Sequence, residues 1–145
     1  MNMADHLREE PMTRRATGRF EVQLSPQTQA GEFDHPSLAR LSLDKRFWGD
    51  LEATSWGQMM SAGTVVPNSA GYVALERVSG SLQGRVGTFV LQHSSTMTRG
   101  EPEQNITVVP DSGTGELAGL AGQMTIRIED GKHFYDFDYA LAEPS

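Results

Sequence analysis

Three side chains suited to acid–base chemistry, Tyr72, Glu76 and His93, fall within otherwise apolar runs, in "GYVALERVSGSLQGRVGTFVLQH" (71–93). A carboxyl group within reach of an imidazole can exchange a proton with it, and a phenol beside them can donate one. Burial would raise the pKa of Glu76, whereas a nearby imidazole would lower it. Whether the three groups meet depends on strand register. If Gln83-Gly84 is a two-residue hairpin turn, Val78 faces Phe89, Glu76 faces Leu91 and Ala74 faces His93. Tyr72, Ala74, Glu76, Val78, Phe89, Leu91 and His93 then share one face. Glu76 and His93 become diagonal neighbours, with small Ala74 leaving space between them.

Other chemistries find less support. The chain has no cysteine, which removes thiol nucleophiles, thiolate metal sites and disulfides together. Its four histidines, His6, His35, His93 and His133, form no short-spaced pair, and neither a metal nor a cofactor is expected. The serines of "QHSST" follow His93 without a nucleophile-elbow pattern. The glycines of "VVPDSGTGELAGLAG" (108–122) are spaced GxGxxxG rather than as a dinucleotide fingerprint, so a structural corner between two strands is the better reading. Asn105-Ile106-Thr107 matches a glycosylation acceptor, but no secretory signal accompanies it.

The elements that must position these residues follow a period of two. Phe20, Val22 and Leu24 alternate with Arg19, Glu21 and Gln23. Further strands are expected over 38–47 and 51–61, around Gly49-Asp50, with their register open. A turn cluster at 66–71 leads into strands 72–82 and 85–95. A mobile loop is expected over 96–104, before a short strand at 105–110. The final pair, 122–129 and 132–141, is joined by Asp130-Gly131. That turn sets Ile128 against His133, Ile126 against Tyr135 and Met124 against Phe137.

Residues 1–12 read as a flexible leader and 26–37 as a loop. Residues 13–145 then form one domain. Eight short antiparallel strands with almost no helix predict a closed all-β barrel, with a sandwich as the alternative.

A net charge of −7 argues against nucleic acid or an anionic membrane as the main partner. No apolar run is long enough for a membrane helix, and a cytoplasmic location is the default expectation. The outward face of strands 72–95 keeps Val73, Leu75 and Val90, from which a homodimer or homotrimer is expected.

The run "SGTGELAGLAG" before a final hairpin resembles the allene-oxide-cyclase-like barrels, a class that includes dirigent proteins. Together with "YVALERVSGSLQGRVGTFVLQH" and "HFYDFDYAL", it looks more closely like a bacterial domain-of-unknown-function family of that class, over roughly Thr13 to Leu141. The resemblance implies an eight-stranded antiparallel barrel, often oligomeric. The wider class includes cofactor-free cyclases that enclose an apolar substrate and proteins that steer radical coupling. Their catalytic residues do not map onto this sequence, and none is transferred.

The expectation is therefore a barrel cavity that binds a small hydrophobic molecule, with Glu76, His93 and Tyr72 as its acid–base groups. Phe89, Leu91, Tyr135, Phe137 and Trp56 are expected to line it, and His133 to lie at its rim. Two functions fit: a cofactor-independent cyclase or isomerase, or a non-catalytic ligand-binding barrel. In a purely structural alternative, Glu76 is paired with His93, or with an arginine such as Arg77 of a neighbouring subunit.

Overall fold

In the computed structural model, residues 13–27 and 38–141 are described. The expected leader, most of the 26–37 loop and the last residues lie outside them. Among the described residues, nine strands form one antiparallel sheet: β1 (Thr13–Pro26), β2 (Leu38–Gly49), β3 (Leu51–Gly63), β4 (Ala70–Leu82), β5 (Arg85–Thr98), β6 (Glu101–Glu103), β7 (Ile106–Val108), β8 (Ala121–Glu129) and β9 (Lys132–Ala140). Pairing of β4 with β5 closes the sheet, so eight strands make a barrel and β6 is a short flap on β5. Closure gives every barrel strand a neighbour on both sides.

Both hairpin registers follow their turn dipeptides. Gln83 and Gly84 have φ of 46° and 89°, and Asp130 and Gly131 of 52° and 76°, the left-handed pairs that match the twist of the flanking strands. Glu76 lies opposite Leu91, Ala74 opposite His93, and Ile128 opposite His133. The segment 96–104 departs from expectation. It is no free loop but a third tight hairpin, turning at Arg99 and Gly100 with φ of 47° and 90° and joining β5 to β6. Its polar composition concealed the turn.

Strand β7 is shorter than expected, and the glycine run takes over where it stops. Backbone N–H groups of Val86, Thr88 and Val90 on β5 donate to the side chains of Glu116, Thr114 and Ser112. Alternate donors of one strand are thus satisfied by alternate side chains of the run, as a ladder would satisfy them. A 3-10 turn at Gly115–Leu117 then drives Leu117 and Leu120 into the core.

The interior divides into two halves along the barrel axis. One half is solid: Phe47, Leu51, Leu82, Phe89, Phe137 and Tyr139 are all buried there. The Phe89 and Phe137 rings stack at 5.8 Å, and Phe47 meets Tyr135 edge-on at 5.7 Å. The Tyr135 hydroxyl accepts from the Leu51 N–H at 2.9 Å and donates to the Trp48 carbonyl at 3.0 Å, tying β9 to the β2–β3 turn. The Tyr139 hydroxyl likewise reaches Gln83 at the β4–β5 turn. The other half holds a cavity. No described helix is long and apolar enough to cross a membrane.

Candidate functional site

The cavity has a volume of about 450 Å³ and opens at the end opposite the packed half. Its walls are mainly apolar, from Val22, Leu43, Met59 and Ile126, with Leu24, Met97 and Ile128 partly exposed at the mouth. Its size and apolar lining are those of a small-molecule site.

Where the cavity meets the packed half, four strands deliver a buried polar chain. Tyr72 and Glu76 come from β4 and His93 from β5, on the inward face set by the Gln83-Gly84 turn. Lys45 comes from β2 and Ser55 from β3. Glu76 Oε1 accepts from Lys45 Nζ at 3.0 Å and lies 2.9 Å from His93 Nε2, while Oε2 accepts from Ser55 Oγ at 2.8 Å. His93 Nδ1 lies 3.3 Å from the Tyr72 hydroxyl. Lys45, Tyr72 and His93 line the cavity, and Glu76 sits behind them with no side-chain exposure.

Room for this carboxylate depends on Gly57 opposite it on β3. A Cβ there would lie 2.1 Å from the Leu75 carbonyl oxygen and 2.8 Å from Glu76 Cβ, so only glycine allows the approach.

Burial pushes the Glu76 pKa upward. The His93 hydrogen bond, the Lys45 and His93 charges and the Ser55 hydroxyl together outweigh it, holding the carboxyl at about 2. Glu76 is therefore a fixed carboxylate. The expectation that it exchanges protons near neutral pH is corrected, because both its oxygens are occupied by donors. What it does instead is orient His93. A carboxylate accepts only, so this contact requires a proton on His93 Nε2 and leaves Nδ1 facing the Tyr72 hydroxyl. Burial also raises the pKa of Tyr72, against a hydrogen bond from Ser95 and with help from the Glu76 charge, so its hydroxyl stays a donor. Carboxylate, imidazole and phenol stand in series, ending at the cavity.

Other expected site residues divide by depth. Phe89, Leu91, Tyr135 and Phe137 do point inward, but they fill the solid half and do not line the cavity. Trp56 is corrected outright. It lies on the outer surface, 57% exposed, because β3 turns Leu51, Ala53 and Ser55 inward and Glu52, Thr54 and Trp56 outward. Trp48 is also outside, with the Arg19 guanidinium 4.2 Å above its ring. His133 lines the cavity, its ring 5.1 Å from that of Phe20. Arg77 is not the partner of Glu76, since the counter-charge comes from Lys45 of the same chain.

Lys45 and Ser55 were missed. Parity in the sequence carried the signal, since Lys45 shares the parity of Leu43 and Phe47, and Ser55 that of Leu51 and Ala53. Among the described residues, no cluster of His, Asp or Glu is arranged to hold a metal ion.

Comparison with curated proteins gives no match. Among solved structures, the chain is similar to a protein of unknown function from Shewanella oneidensis MR-1, of the DUF3224 family. The two share 48% identity with a TM-score of 0.85, over 92% of this chain and 100% of that one. Residues 16–139, nearly the whole barrel, match the family described as "Protein of unknown function (DUF3224)", and the chain belongs to that family.

Proposed function

We propose that the barrel binds a small, largely apolar molecule in its cavity and acts on it as a cofactor-independent isomerase or cyclase of the allene-oxide-cyclase-like kind. One observation carries this reading: the Glu76–His93–Tyr72 series ends on the wall of a mainly apolar cavity. Tyr72 hydrogen-bonds to an oxygen of the ligand, His93 Nδ1 accepts a proton released from a neighbouring carbon, and the imidazolium returns a proton to another carbon of the ligand. Glu76 stabilises the imidazolium that forms, as a positioning residue that never meets the ligand. The walls hold a single conformer, which removes orientational freedom from the reaction. Protons move and no electrons are transferred to an acceptor, so no cofactor is called for.

The second reading, a non-catalytic binding barrel, rests on the same cavity. Native mass spectrometry of freshly purified protein should detect a co-purified small molecule. Incubation of that complex in D₂O should then place deuterium at a ligand carbon. A recovered ligand without deuterium would leave the binding barrel, and protein that carries and accepts no apolar molecule would overturn both readings.

We also propose that the chain forms a homodimer or homotrimer through the outer wall of β3, β4 and β5. Trp56, Met60, Val73 and Leu75 are exposed together there, on facing strands. Apolar residues gathered on one wall fit a subunit contact better than scattered surface residues do.

A further inference from the structure

We propose that the ligand carries an anionic oxygen head, a carboxylate, seated on Lys45 beside Tyr72 and His93, with its apolar body directed toward Leu24, Met97 and Ile128 at the mouth. This rests on the reading of the cavity as a small-molecule site and names the class of molecule it takes.

The ionisable side chains facing the cavity are one-sided. Among the described residues, the basic side chains Lys45, His93 and His133 contribute to its wall, and no aspartate or glutamate does. Glu76, the one nearby carboxylate among the described residues, is closed to ligand: Lys45, His93 and Ser55 occupy its oxygens, and its side chain has no exposure. A cationic head would therefore meet an ammonium group with no acid to receive it.

Lys45 has donors to spare. An ammonium group carries three hydrogens. One goes to Glu76; among the described residues, the ring faces of Phe20 and Phe47 lie 4.9 and 5.8 Å from Nζ. The Lys45 side chain is only 6% exposed, so bulk water does little for its remaining hydrogens. A carboxylate accepts through two oxygens, enough for Lys45 and the Tyr72 hydroxyl at once. An alcohol offers a single weaker acceptor.

The test compares decanoate with 1-decanol, which share an apolar chain and differ in the head, by titration calorimetry at pH 7. Wild-type protein should bind decanoate at least about tenfold more tightly. A double variant, Lys45→Met with Glu76→Gln, removes both charges together and so leaves neither uncompensated in the interior. It should bind the two compounds within about twofold of each other.

Equal affinities in wild type would overturn the carboxylate assignment and leave the apolar cavity reading standing. A decanoate preference that survives in the double variant would overturn the seat on Lys45. Binding of neither compound would overturn the inference together with the reading beneath it.

Discussion

Replacing Glu76 by glutamine tests the polar chain at its centre, because it keeps the shape and removes the charge. In the wild type the carboxylate compensates Lys45, whose side chain is 6% exposed. With the amide in its place, the ammonium is left buried beside two aromatic rings. Breaking a buried pair in this way costs about 3–5 kcal/mol.

Linkage gives a second route to the magnitude. The Glu76 pKa falls from its ordinary 4.5 to about 2 on folding, which corresponds to about 3 kcal/mol of stability when the group is ionised. Because the folded pKa is the lower one, this contribution is fully present above about pH 5 and is lost as pH falls from 4.5 toward 2. Glu76→Gln should therefore lower the urea unfolding free energy by about 3 kcal/mol at pH 7, read by circular dichroism. The gap to wild type should narrow steadily below pH 5. Subtracting the two pH curves removes carboxylates common to both proteins, such as Asp138, whose pKa is lowered by its hydrogen bond to Arg15. A variant within about 1 kcal/mol of wild type, with parallel pH curves, would refute the reasoning: the chain would then contribute no net stability through its charge.

Tyr72→Phe should keep the fold and abolish deuterium entry into a bound ligand while binding persists; unchanged exchange, followed by mass spectrometry, would remove Tyr72 from the chemistry. Gly57→Ala forces a Cβ to within 2.1 Å of the Leu75 carbonyl oxygen, so a loss of about 3 kcal/mol or more is expected in urea unfolding, and a neutral result would mean the β3–β4 approach is not fixed. Leu75→Glu places a charge on the exposed outer wall and should convert the oligomer to monomer in light scattering with melting of the monomer little changed; a wild type that is already monomeric at tens of micromolar would end the proposal.

Local chemistry in the sequence determined much of this protein. Alternation of apolar and polar residues identified the strands, because a strand's side chains alternate between two faces. Gln83-Gly84 and Asp130-Gly131 fixed two registers, since a two-residue turn leaves the paired strands no freedom to slip. That is how Glu76 and His93, seventeen positions apart, could be brought together from the sequence alone.

Two things only the tertiary structure decided. The first was which strands contribute to the cluster. Lys45 and Ser55 reach Glu76 across the wall of the barrel, where the pairing of β2, β3 and β4 is set by closure of the whole sheet rather than by one turn. The second was depth. Period two tells inward from outward but gives no position along the barrel axis, so Phe89, Leu91, Tyr135 and Phe137 were placed on the right face and in the wrong half. Which half is filled depends on how bulky rings from opposite strands meet, with Phe89 of β5 stacking on Phe137 of β9. Such contacts join residues far apart in the chain, and side-chain volume in three dimensions, not spacing along the sequence, decides where the barrel stays open.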